Sequence, residues 1–206
     1  DIIDASEGEI LFHINETNTN TSVANPTPTT FLDKFNRIVN NAKQNKLLTL
    51  MNVVTNDPTI DVNRERMFGL AAYYLFDYNS TYFWPQSPLG YTKPWDYWFD
   101  AIEYDISRAS GDWYQWATGV DPSSGGLNQY YIYTRNRENG NKVLVKFKPK
   151  YTSSIGANSI TTHQLDKAYY ILQADGTLSA STVTSVSLRN NEGMIFISEK
   201  PDYYYF

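Results

Sequence analysis

The 206-residue chain contains no cysteine. That excludes disulfides, thiolate metal sites and cysteine nucleophiles, and it suits a secreted bacterial or archaeal protein among others. No run reaches about 18 apolar residues, so no membrane span is expected. Positive charge is not in excess: 17 Lys and Arg stand against 22 Asp and Glu. The resulting net charge of -5 argues against a nucleic-acid partner, which needs a basic face. The two histidines, His13 and His163, lie far apart, and no EF-hand-like carboxylate spacing occurs, so no metal site is expected. Phosphate loops and dinucleotide fingerprints are absent, and no cofactor is expected. The chain starts at Asp1 without Met or a charged-plus-apolar leader, as a mature chain or a piece of a longer one would.

What is present is aromatic. The chain has 17 Tyr, 5 Trp and 10 Phe among many Asn, Thr and Ser residues. Rings beside amides and hydroxyls are what a sugar surface needs, because rings stack on the apolar faces of pyranoses. The same bias also serves a β-rich extracellular domain that uses Tyr and Thr for strand propensity. With 41% hydrophobic and 19% charged residues, the chain has enough apolar material for a packed core.

Periodicity divides the chain near residue 100. Residues 9–15 read as a short buried strand, residues 16–30 as a long loop, and residues 31–44 as a helix with Phe31, Phe35, Ile38, Val39 and Ala42 on its stripe. Residues 47–54 read as a second buried strand. A helix follows from about Asn63 to Tyr78, with Asp61 or Asn63 as its cap. Met67, Leu70, Ala71, Tyr74, Leu75 and Tyr78 line one face, and Phe68, Ala72, Tyr73 and Phe76 make the opposite face apolar too. Such a helix is buried on several sides. Residues 81–84 then form a short strand. The order β, α, β, α, β implies parallel strands with right-handed crossovers. Residues 85–100 are rich in Pro and aromatics and read as an ordered connection.

Beyond this point the period is 2. Strands are expected at 102–106, 130–135, 142–147, 159–163, 167–172, 183–188 and 193–198, with Asn139-Gly140 as a hairpin turn. The expected organisation is therefore βα units over residues 1–100 and an antiparallel β-sandwich over residues 101–206.

The strings Leu48-Thr49-Leu50-Met51-Asn52-Val53, residues 64–83 ending in Thr81-Tyr82-Phe83, and Tyr104-Asp105-Ile106 resemble the closing part of glycoside hydrolase-like (β/α) barrels. So do the hairpin of residues 131–147 and the string over residues 186–195. The resemblance covers most of the chain from about Leu47 onward. It implies α/β plus all-β architecture: the last βα units of a TIM-like barrel followed by a C-terminal β-sandwich. It also implies a secreted or cell-surface protein that acts on or binds polysaccharide. Such a barrel has eight strands and about 250 residues, and only about three units are present. The remaining barrel segment, on a second chain or upstream, is thus an expected partner beside a glycan.

Barrel enzymes place catalytic groups at the C-terminal strand ends. Glu16 follows the first expected strand and is the candidate catalytic carboxylate, or else a solvated loop residue. Glycoside hydrolysis needs two carboxyl groups, roughly 5 Å or roughly 6.5–9.5 Å apart, and no second one follows the next strand until Asp57. Asn15 and Asn52, at strand ends, are candidates to hydrogen-bond sugar hydroxyls, or to satisfy backbone at a barrel rim. His13 inside a buried run is a candidate ligand or acid, or else a hydrogen-bonded core residue. Trp84, Trp95 and Trp98 make a stacking platform or pack between the two halves. Trp113 and Trp116, in a loop-like stretch, are candidates for an exposed platform. The alternative function is a non-catalytic carbohydrate-binding or structural cell-surface protein.

Overall fold

The computed structural model describes residues 5–8, 36, 40, 43–44, 47–53, 61–78, 81–86, 98–120, 129–147 and 160–200. Among them the core is organised by one helix, α1 (Val62–Phe76). Asp61 caps it: the carboxylate Oδ1 accepts from the backbone N–H groups of Asn63 (3.0 Å) and Arg64 (3.2 Å), which the first turn leaves without partners. The helix ends at Phe76, two residues before the expected stop. Its apolar circumference is explained by its neighbours, since it packs on a sheet on either side.

The first sheet is parallel: β1 (Ala5–Gly8), β2 (Leu47–Val53) and β3 (Thr81–Gln86), in that order. α1 is the crossover between β2 and β3. The expected strand over residues 9–15 lies outside the described residues, and the strand that pairs with β2 is Ala5–Gly8. The helix expected over 31–44 is described only in part, where Asn36, Asn40 and Lys43 are helical and the Gln44 N–H donates to the Asn40 carbonyl (3.1 Å). β3 runs on through Pro85, where a break was expected. Among the described residues β3 is an edge strand, and there a missing N–H takes nothing from the ladder.

The second sheet is antiparallel: β4 (Tyr114–Val120), β5 (Gln129–Asn136), β6 (Lys142–Phe147), β7 (Thr161–Ile171), β8 (Val183–Leu188) and β9 (Glu192–Ile197), in the order β4-β5-β6-β9-β7-β8. The described residues thus make one six-stranded sheet rather than the two facing sheets of a sandwich. β9 inserts between β6 and β7 and joins the two groups of strands, and α1 covers the face that a second sheet would have covered. The sheet curls, so its other face encloses a smaller core of Tyr130, Ile132, Leu144, Tyr169, Val186, Leu188 and Phe196.

Three further expectations are corrected. Residues 102–106 form no strand; a 3-10 turn, Asp100–Glu103, precedes an irregular segment. The strands expected at 159–163 and 167–172 are one strand, β7, whose register slips between Gln164 and Tyr169. The loop-like stretch around Trp113 and Trp116 contains a strand, β4, despite Gly111 and Gly119. The β5–β6 hairpin turns where expected, with Asn139 at φ 60° and Gly140 at φ 73°.

Helix and antiparallel sheet approach each other closely at Gly193 of β9. A Cβ there would lie 2.7 Å from the Ala71 Cβ, 3.0 Å from the Phe68 Cα and 3.2 Å from the Met67 carbonyl oxygen. Only a residue without a side chain lets α1 approach so closely. At the other end of α1, the last turn carries no basic residue of its own. β5 supplies two. Arg135 donates to the Leu75 carbonyl (3.1 Å), to Asp77 Oδ1 (2.9 Å) and to the Gly111 carbonyl (2.9 Å). Arg137 binds both oxygens of Asp77 (2.8 and 2.7 Å) and the carbonyls of Tyr74 and Ser107. These cations meet the free carbonyls and the negative end of the helix dipole. Among the described residues no helix is long and apolar enough to cross a membrane.

Candidate functional site

Trp98 and Phe99 are adjacent and have opposite fates. Phe99 is buried in the core shared by α1 and the sheet, while Trp98 stays 45% exposed. Phe99 is also the N-cap of the 3-10 turn Asp100–Glu103, which buries Ala101 and leaves Asp100 and Glu103 outside. The Trp98 indole Nε1–H donates to Glu103 Oε1 at 3.0 Å, which fixes the ring against the turn.

The turn is pinned to the loop after β7. The Ala101 N–H donates to the Ala174 carbonyl (3.2 Å). Gly176, at φ 76°, sits against Asp100: a Cβ at Gly176 would be 3.1 Å from the Asp100 Cβ. A side chain is thus disfavoured there both by conformation and by space. Asp175 Oδ1 accepts from the Thr177 N–H (3.0 Å) and hydroxyl (2.7 Å), so the loop is held by its own side chain.

Between turn and loop lies an open cleft of about 510 Å³, lined by Asp100, Glu103, Tyr104, Asp175, Gly176, Thr177, Leu178 and Lys200. Three carboxylates face it against one amine. The Lys200 ammonium rests 4.9 Å over the Tyr170 ring. Hydrogen bonds from Thr177 hold the Asp175 carboxyl below its ordinary pKa, so it stays an ionised acceptor. An exposed indole beside carboxylate acceptors and a hydroxyl can stack on one face of a sugar ring and accept from its hydroxyls. Among the described residues no group of three or more His, Asp and Glu side chains could hold a metal ion.

Of the site residues read from the sequence, Asn15, Glu16 and Trp95 lie outside the described residues, as does His13. Asn52 lies in β2 opposite Pro85, and Trp84 in β3 opposite Met51, so the two occupy neighbouring register positions on adjacent strands. Trp113 and Trp116 are not an exposed loop platform. Trp113 is half-buried against the core, edge-on to Tyr133 with ring centres 5.2 Å apart. Trp116 belongs to β4 and faces into the curl of the sheet, 5.5 Å from the His163 ring. Among the described side chains, Trp98 is the tryptophan candidate left largely exposed, and it stands beside a cleft. Asp100, Glu103, Asp175 and Lys200 carry no motif in the sequence.

No protein-family model and no curated protein matches the chain. Among solved structures, the crystal structure of Abp-WT, a GH27-b-L-arabinopyranosidase from Geobacillus stearothermophilus, is similar at a TM-score of 0.48 and 9% identity. The similarity covers 84% of this chain, which spans 42% of that one.

Proposed function

We propose that this chain is the C-terminal portion of a glycoside hydrolase-like protein, extracellular or at the cell surface, and that it binds polysaccharide at the Trp98 cleft. The observation that carries the reading is the exposed Trp98 ring, tied through its Nε1–H to Glu103 at the edge of a cleft rich in acceptors. Concave sites with a few convergent polar groups are where small ligands bind. The parallel β1-β2-β3 unit represents the last βα units of a TIM-like barrel, whose remaining strands come from an upstream segment or a second chain. The open edges of β1 and β3 among the described residues support that part of the reading.

Calorimetric titration of the chain with cellohexaose, xylohexaose and maltohexaose tests it. Binding of at least one, weakened about tenfold or more in Trp98→Ala (~1.4 kcal/mol), is the expected result. No binding to any of the three, nor to a broader set of soluble polysaccharides, overturns the reading.

A second reading is binding without turnover: the sequence offers no second carboxylate at catalytic spacing from Glu16, and Asp175, held ionised by Thr177, serves as an acceptor and not a general acid. The chain alone is therefore expected to leave the same glycans intact. Reducing-end release that disappears in Glu16→Gln would instead make Glu16 catalytic.

A further inference from the structure

The far half of the β7–β8 hairpin is bound to the rest of the sheet by side chains alone among the described residues. β7 pairs with β9 only at Tyr170↔Ile197 and Ile171↔Phe196. Its first residues pair only with β8, from Thr161↔Leu188 to Gln164↔Ser185. Between these two stretches the β7–β8 register slips, an irregularity that locally disrupts the ladder. A two-stranded ribbon by itself is marginally stable in water, so something else must hold this arm down.

Its burial pattern shows which face is held. Thr161 and His163 of β7, with Val186 and Leu188 of β8, turn inward, while Thr162, Gln164, Ser185 and Ser187 are exposed. Beneath the arm lie Trp116 of β4 and Tyr130 of β5. His163 meets both rings, at 5.5 and 6.3 Å between centres. Gly119 of β4 leaves room for the Tyr130 ring, since a Cβ there would lie 2.5 Å from its hydroxyl. Lys146 of β6, fully buried, crosses to the arm: its ammonium donates to Thr161 Oγ1 (2.9 Å) and the Leu188 carbonyl (3.1 Å). The same Thr161 hydroxyl is 2.9 Å from His163 Nε2.

We propose that the β7–β8 arm is a flap over the Trp116–Tyr130 aromatic face, latched by Lys146 and His163, and that it loosens when His163 takes a proton. The groups facing His163 are Lys146 from β6, Tyr130 from β5, Trp116 from β4 and Thr161 from its own strand. β8 brings only Val and Ser near it, at Val186 and Ser185. Asp166, further along β7, is paired with Lys142 at 2.6 Å. A second cation would therefore enter beside the Lys146 ammonium and compete with it for one hydroxyl. Burial first, and then the Lys146 charge, hold the His163 pKa below its ordinary 6.5. The latch is thus complete above the ordinary value and is lost as pH falls through the lower folded one.

The absence of cysteine allows clean paired labelling. Spin labels at Gln115→Cys on β4 and Thr162→Cys on β7, both exposed, report the gap between arm and sheet by pulsed electron resonance. From about pH 7.5 to about pH 4.5 the long-distance fraction is expected to rise about threefold or more, with far-UV circular dichroism unchanged. In His163→Phe, which keeps a ring against Trp116, the distance is expected to stay short at both values. An unchanged distance in the parent chain overturns the flap. An equal lengthening in His163→Phe, or a loss of dichroism with it, overturns the latch.

Discussion

The Arg135–Asp77–Arg137 cluster and the Trp98 cleft are both built from charged residues, and they differ in what meets those charges. In the cluster every charge has a protein partner: Asp77 takes both guanidinium groups, and the groups left over reach backbone carbonyls at the helix end. Tyr74 and Tyr78 lie under the cations at 5.3 and 4.3 Å. In the cleft Asp100, Glu103 and Asp175 face water with one amine among them. Charges that are matched and buried hold the helix to the sheet; charges left facing an open space are available to a ligand. The difference gives the first set a part in stability and leaves the second open to the ligand proposed for it.

The sharpest way to break this comparison is at the cluster. Arg137→Met leaves Asp77 with half its partners in a nearly water-free place, since the Arg137 side chain is 3% and the Asp77 side chain 14% exposed. Removing one member of such a pair costs about 3–5 kcal/mol, read as a lower urea midpoint. An unchanged midpoint would place the cluster with the cleft. Next in size is Gly193→Ala, which forces a methyl into Ala71 and the backbone at Phe68. Overpacking of this kind costs about 1–3 kcal/mol, or very roughly 2–4 °C of melting temperature for each kcal/mol. A melting temperature equal to that of the parent would show that α1 can back away from β9.

Asp61→Ala removes the helix cap and is expected to cost about 1 kcal/mol by the same denaturation. The smallest effect belongs to the cleft. Asp175→Asn is expected to leave the denaturation midpoint where it was, because the carboxylate is fully exposed. Its folded pKa is depressed, so what it contributes is present above the ordinary 3.8 and fades as pH falls through the folded value. Carbon-detected NMR of the Asp175 carboxyl should show a midpoint below 3.8. A midpoint at or above it would remove the Thr177 hydrogen bonds as its cause.

Residues of local consequence were legible in the sequence. Asp61 before an apolar run marks a capped helix. The all-round apolar surface of α1 announces neighbours on both sides, and the two sheets supply them. Asn139-Gly140 marks the β5–β6 turn because both residues adopt positive φ. These signals rest on backbone preferences that act within a few residues. Legibility failed where the partner is distant. β4 looked like loop because its strand character depends on the β5 residues opposite it. Trp113 and Trp116 looked available because nothing near them in sequence shows that Tyr133 and His163 cover their rings. Trp98 and Phe99 are neighbours of similar character, and only the packed core selects which ring is buried.

What the amino-acid sequence determined by itself is therefore the kind of element on each side of residue 100 among the described residues: parallel strands about a buried helix, then short antiparallel strands. Composition and the spacing of Gly, Asn, Asp and Pro suffice for that, because they set local conformation. Tertiary structure alone decided that the later strands form a single curled sheet with α1 on its face. It also decided that Arg135 and Arg137, 58 and 60 residues beyond Asp77, close the end of the helix. The cleft beside Trp98 belongs with these, since residues from positions 100 to 200 line it. Long-range pairing of this kind is selected by burial and by charge matching between segments that carry no mark of each other in the chain.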